Sequence, residues 1–355
     1  MDYKAIELQL LQLEESFSKS RSNIYSDKKK EEHFLELHTL FTAIKKSDYK
    51  TFDLITLESH FVILKFIFKG LEFLDNSTLN VIPYEIISCL EYVLEDWVNR
   101  DNFIIATTLS NKYLDFHFDS NYSQEFLDVL NNYIQPKYSI QIKHRLIKIS
   151  LPKNLSRDYL SCVVLYHELG HFIDHELNIS KKLLLNTYYV DEPQDKAQEE
   201  FLNHTMEYFA DLFAAQYIDN ASNLYLNYIA FFEKDSLTHP ATSKRIEIVN
   251  EFILDKKCTK LNEFNNVLLI SGYSEIKKRY KVINLNKSDF LKLIPQTITT
   301  KEELHYIFKL GWEFWNSSDI NFLKNFKNRQ KYHVINNLIE KSISNYTIVT
   351  KWQEI

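Results

Sequence analysis

His167, Glu168 and His171 form the pattern HELGH, two imidazoles four residues apart with a carboxylate beside the first. On a helix an i, i+4 pair projects from one face about one turn apart, so both rings can bind a single zinc ion through neutral nitrogens. Glu168 lies about 100° round the helix from His167. From there a carboxylate can take the proton of an attacking water. The neighbours Val163, Val164, Leu165, Phe172 and Ile173 call for burial, and buried polar groups are costly unless satisfied. A metal would satisfy them.

Two protein ligands are too few for a catalytic zinc, which takes three and keeps an open position. One route to a third is a His six residues beyond the second, with a Gly three residues beyond it. Here Leu177 and Asp174 hold those positions, and His175 is off register. The other route is a carboxylate on a following helix. EEFLNHTMEYFADLFAAQY offers Glu207, with Asp211 four residues on along the same face and Ala210, Ala214 and Ala215 beside them. Small residues let such a helix approach closely. Glu207 is then the expected ligand, and Asp211 would accept the outward N–H of a zinc-bound His and fix its tautomer. Glu200 and His204 are alternatives for the ligand, and a solvated helix face is the bland reading of Glu207.

The elements that must carry these residues are mostly helical. Apolar residues recur at helical spacing from Asp2 to about Leu94, after a turn around Ser26 and Asp27 and again behind Pro83. Leu114, Phe116 and Phe118 alternate with Asp115, His117 and Asp119, and Ile147, Ile149 and Leu151 with Lys148 and Ser150, so both stretches read as strands. Ser156 is placed to cap a helix running through HELGH to about Leu177, and a second helix is expected from about Ala197 to Tyr217. Thr299 with Glu302, or Thr300 with Glu303, suggests a capping box for a later helix. The expectation is a mainly α chain with a small α+β core, a short mixed or antiparallel sheet plus the HExxH helix. Helical regions flank it: 1–100, then the core at 101–254, then 255–355. The strand Leu146 to Leu151 would offer an edge to an extended substrate, and the polar connection from Asn178 to Lys196 a wall or lid.

Composition narrows the class. With 4 Gly and 6 Pro among 355 residues, against 22 Tyr and 25 Phe, an all-β fold lacks its turns and a disordered chain is excluded. No phosphate-binding glycine loop is present. A net charge of -6, from 42 basic and 48 acidic residues spread along the chain, gives no case for nucleic acid. Cys89, Cys162 and Cys258 are odd in number and far apart, which argues against a disulfide framework and for a reducing, cytoplasmic location. Charges interrupt the most apolar stretch, His60 to Leu74, so no membrane span is expected.

HELGH followed by a helical E-x-x-x-D resembles the gluzincin metallopeptidases. The segment Thr238-His239-Pro240-Ala241-Thr242-Ser243-Lys244-Arg245-Ile246 is similar to the THPxxxxRI signature of the HtpX and CAAX prenyl protease type. The three motifs stand in that family's order between about Ile147 and Ile246. The resemblance implies a zincin core, one zinc ion, His239 near the metal stabilising the tetrahedral intermediate, and Arg245 supporting the site. A loop-to-helix junction and a surface arginine are the structural alternative. Enzymes of that type are integral membrane proteins, so their substrates do not transfer to this chain. The expected activity is hydrolysis of peptide bonds in a protein or peptide substrate, with Glu168 as general base. The alternatives are a non-catalytic interaction or regulatory protein built on a zincin core, and hydrolysis of a non-peptide amide. Oligomeric state is not legible in the sequence.

Overall fold

The computed structural model of the chain describes residues 3–25, 28–78, 83–111, 116–120, 122–231, 233–281, 287–317, 323 and 326–353. In chain order the helices and strands are α1 (Tyr3–Ser20), α2 (Lys28–Lys46), α3 (Leu54–Asp75), α4 (Tyr84–Glu95), β1 (Phe103–Ser110), β2 (His117–Ser120), α5 (Gln124–Tyr138) and β3 (Arg145–Pro152). They continue as α6 (Val164–Leu177), α7 (Ile179–Tyr188), α8 (Lys196–Ile218), α9 (Ala221–Ile229), α10 (Thr242–Ile253), α11 (Thr259–Ile270), α12 (Lys287–Leu291), α13 (Lys301–Trp315) and α14 (Asn328–Gln353). The fold is mainly α with a small mixed sheet, as the sequence suggests. The turn at Ser26 and Asp27, and Leu114 and Asp115 of the first expected strand, lie outside the described residues.

Two compact units divide the chain. The first combines Met1–Tyr84 with Asn99–Lys153, the second Glu85–Val98 with Asn154–Ile355. In the first, α1, α2, α3 and α5 bury Ile6, Leu10, Leu37, Leu40, Leu64 and Leu130 in one apolar core. The sheet has order β1-β3-β2, with β1 parallel and β2 antiparallel to β3. Phe73 of α3 packs against Ile104, Ala106 and Leu146 on it.

Two features of the sheet bear on the site. The strands share a unit with α1, α2, α3 and α5, while the HELGH helix lies in the other unit, with all of α4 beyond Tyr84. And β3 is the central strand: β1 pairs it along Arg145–Pro152 and β2 pairs Ile147 to Ser150 on the other side. From Ile147 to Ser150 it is paired on both sides, which corrects the expectation that Leu146 to Leu151 offers a free edge to a substrate. β3 is also buried almost continuously.

The second unit is organised round α8. From Glu207 to Ile218 every residue of this helix is buried, with α6, α7, α9, α10 and α13 packed about it. Asp195 caps α8, accepting from the Gln198 N–H at 2.9 Å, and the described helix matches the expected one to within about a residue at each end. The HELGH helix is shorter than expected and starts at Val164, not near Ser156. Tertiary bonds hold the preceding residues in turns: Asn336 Oδ1 accepts from the Tyr159 N–H at 2.7 Å, and the Leu160 carbonyl accepts from the Trp312 indole at 3.0 Å. That carbonyl is thus engaged by Trp312. The stretch from Asn178 to Lys196 is not only a polar connection, because α7 occupies half of it. Thr300 caps α13, while Glu303 reaches back to the Thr299 N–H at 2.8 Å.

Candidate metal centre

Helices α6 and α8 cross at Gly170 and Ala210. A Cβ built on Gly170 would lie 2.7 Å from the Ala210 Cα and 3.1 Å from the Phe213 Cβ. Only glycine allows this approach, since backbone cannot swing aside as a side chain can. The crossing brings one turn of α6 against one turn of α8, and the polar residues of both meet there.

His167, His171 and Glu207 converge. The two Nε2 atoms stand 3.0 Å apart, Glu207 Oε2 is 3.4 Å from the first and Glu207 Oε1 3.3 Å from the second. Ligands about 2.0–2.1 Å from one tetrahedral zinc are separated by roughly 3.3–3.4 Å; the two histidine–carboxylate separations match this and the two Nε2 atoms are slightly closer, so the three residues could hold such an ion. The second nitrogen of His167 supports the same reading: Nδ1 faces Asp211 Oδ1 at 2.9 Å, which turns the Nε2 lone pair toward the cluster. His171 Nδ1 is buried with no hydrogen-bond partner, so this ring is held by packing and by its cluster-facing nitrogen alone.

Arg245 of α10 closes the network from behind. Its Nε and Nη2 donate to Asp211 Oδ2 and Oδ1 at 2.7 and 2.8 Å, and Nη1 donates to Glu207 Oε2 at 3.0 Å. Two carboxylates are tolerated on an otherwise apolar, fully buried stretch of helix because this guanidinium pairs with both. Burial, the largest single influence on Asp211, opposes its ionisation, yet Arg245 and His167 together hold its carboxyl below the usual range. Glu207 is likewise held well below its ordinary value: burial acts against the charge, and bonds from His167 and His171 with the charges of His167 and Arg245 overcome it. For His167, burial disfavours the cation, but Asp211 and Glu207 outweigh it and raise the metal-free imidazole to about 10. A divalent cation would therefore compete with a proton at this ring.

The structure separates the alternatives for the third donor. His204 Nε2 meets the Ser236 carbonyl at 2.7 Å, and Glu200 lies in the field of Lys244, so neither joins the cluster. Glu168 is half-buried on α6 beside His167. His239 is at the open side, its side chain 52% exposed and its Nε2 3.6 Å from Glu207 Oε1. Sequence reasoning passed over the residues that hold its loop. Asp235 accepts from the Ala241 N–H at 2.8 Å and pairs with Lys244 at 2.5 Å, and Ser236 Oγ accepts from the His239 N–H at 3.0 Å. Thr242 Oγ1 donates to the Ala230 carbonyl at 2.6 Å. An Asp and a Ser just ahead of a THP segment are the turn-forming types that could have shown this. All seven expected site residues thus fall in one neighbourhood of the second unit.

Comparison of the chain with protein-family models, with curated proteins and with solved structures returns no match. Among the described residues, no helix is long and apolar enough to cross a membrane.

Proposed function

We propose that the chain is a zinc-dependent peptidase of gluzincin type acting on protein or peptide substrates. The observation that carries this reading is the convergence of His167, His171 and Glu207 at tetrahedral spacing with a non-ligand carboxylate, Glu168, on the next position of the same helix. Bound by these three residues, zinc would supply Lewis acidity and a water made nucleophilic near neutral pH.

The chain's own residues would do the rest. Glu168 takes the proton of the attacking water and returns it to the leaving nitrogen. His239, partly exposed at the mouth, donates a hydrogen bond to the oxyanion that forms on the scissile carbonyl. Asp211 holds the His167 tautomer, and Arg245 holds Asp211 and Glu207. The resemblance of HELGH, E-x-x-x-D and THPxxxxRI to the metallopeptidase motifs supports the assignment. Among the cysteines Cys89, Cys162 and Cys258 are free and buried, which suits the reducing cytoplasm that we assign.

The test is metal analysis with a comparison of wild type and Glu168→Gln on a broad peptide mixture. Zinc should bind stoichiometrically to both, and only wild type should cleave. Zinc-loaded wild type that cleaves nothing the variant leaves intact overturns the peptidase reading.

A further inference from the structure

We propose that His33, Glu36 and His144 form a second site for a divalent transition-metal ion of the zinc type, one that ties α2 to the start of β3 within the first unit. The proposal is independent of the reading of HELGH, from which it differs in unit, element and residues.

One donor atom from each of the three residues lies within 4.8 Å of the others. His33 Nδ1 is 3.2 Å and His144 Nδ1 3.8 Å from the same oxygen, Glu36 Oε2. Two ligands of one zinc are about 3.3 Å apart in a regular tetrahedron and roughly 4.2 Å at most, so both separations can span an ion. The longer one is too long for a hydrogen bond. His144 Nδ1 is accordingly buried without a hydrogen-bond partner, within ion-pair range of the Glu36 carboxylate but not bonded to it, and His33 Nε2 is buried without a hydrogen bond as well. His33 is 0% and His144 7% exposed. A buried imidazole that leaves one nitrogen without a hydrogen bond loses part of its hydration without recompense, and a cation between His144 and Glu36 would remove one such loss.

The surroundings fix the donors in advance. His33 and Glu36 are an i, i+3 pair on one face of α2. His144 ends a short irregular segment clamped by Asn131, whose side chain donates to the Ile142 carbonyl at 2.9 Å and accepts from the Ile142 N–H at 2.8 Å. The next residue, Arg145, is anchored by Nε to the Tyr122 carbonyl at 3.1 Å. Helix α2 packs on α1 and α3, while the sheet meets the helical layer through α3. The ion would add a direct tie between α2 and β3. The Glu36 side chain, 17% exposed, is the edge at which water would complete the coordination.

The test uses the full chain with the other cluster removed, His167→Ala/His171→Ala, equilibrated with zinc or cobalt(II) and freed of excess. One equivalent should remain bound, and adding Glu36→Gln or His144→Gln should weaken it at least tenfold. Zinc should raise the thermal midpoint of the double variant but not of the variants with Glu36 or His144 also changed. If those extra substitutions prevent folding, the cobalt-loaded double variant decides, through paramagnetically shifted imidazole signals from two histidines. A folded double variant that binds no metal, binding indifferent to both extra substitutions, or a cobalt spectrum without imidazole ligands overturns the proposal.

Discussion

Gly170→Ala probes whether the helix crossing sets the metal centre. The added Cβ would stand 2.7 Å from the Ala210 Cα, where ordinary contact begins at 3.4 Å. The gap requires α6 and α8 to separate locally by about 0.7 Å, because overpacking against backbone is relieved only by shifting it. His167 and His171 ride on α6 and Glu207 on α8, so their separations of 3.3–3.4 Å would grow toward roughly 4 Å, against a tolerance of about 0.2 Å in each ligand distance. Zinc affinity should fall at least tenfold, about 1.4 kcal/mol, read by competition with a chromophoric chelator. Stability should fall by about 0–2 kcal/mol, since overpacking costs about 1–3 kcal/mol and the gain in helix propensity of about 1 kcal/mol offsets part of it. A Gly170→Ala protein with wild-type zinc affinity and raised stability would show that the crossing does not position the donors.

Other perturbations address the remaining parts. Glu168→Gln should lower turnover by about 10²–10⁴-fold, the usual scale of general base catalysis, with zinc content unchanged; loss of zinc would instead make Glu168 a ligand. Arg245→Met leaves Asp211 and Glu207 buried without their shared cation and should cost about 3–5 kcal/mol in denaturant unfolding of the metal-free chain, and a loss under 1 kcal/mol would mean that the pair is solvated. Burial lowers His305 from 6.5 to about 3, so the unfolded chain takes up its proton first as pH falls. The stability from keeping this ring neutral is complete above about 6.5 and is lost progressively toward pH 3, about 2 kcal/mol by pH 5. His305→Gln should flatten that slope, and parallel pH profiles for the two proteins would refute the assignment.

What could be read from the sequence follows physical reach. HELGH and Glu207 were legible because both spacings are helical, and a helix fixes which side chains share a face. Ala210 signalled close approach, and its partner Gly170 sits inside the motif. Glu200 and His204 stayed open as ligands until the structure showed the Ser236 carbonyl and the field of Lys244, which depend on a loop some thirty residues away. The start of α6 was misplaced because Asn336 and Trp312, far along the chain, take the bonds a helix would have used. The alternation in β3 marked a strand but not its neighbours, and strand order is a non-local property. His144 lies more than a hundred residues from His33, so only folding relates it to the His33 and Glu36 pair on α2.

The chain's own groups can balance the charges that α8 carries inside the second unit. Glu207 and Asp211 bring two negative charges into a stretch of helix buried on every side, and Arg245 balances one of them. In the metal-free chain the proton on His167, held up to about 10 by those same carboxylates, balances the other. On the proposed function, a divalent ion held by His167, His171 and Glu207 would displace that proton and take over its electrostatic role. Small zinc modules lack such a substitute and unfold when stripped. Here α6, α7, α9, α10 and α13 pack on α8 through contacts that do not involve an ion, so chelation should lower stability by the mass-action amount set by zinc affinity and concentration while leaving the helical fold in place. Unfolding of the second unit on chelation would mean that the ion, not Arg245 and the His167 proton, holds the two carboxylates inside.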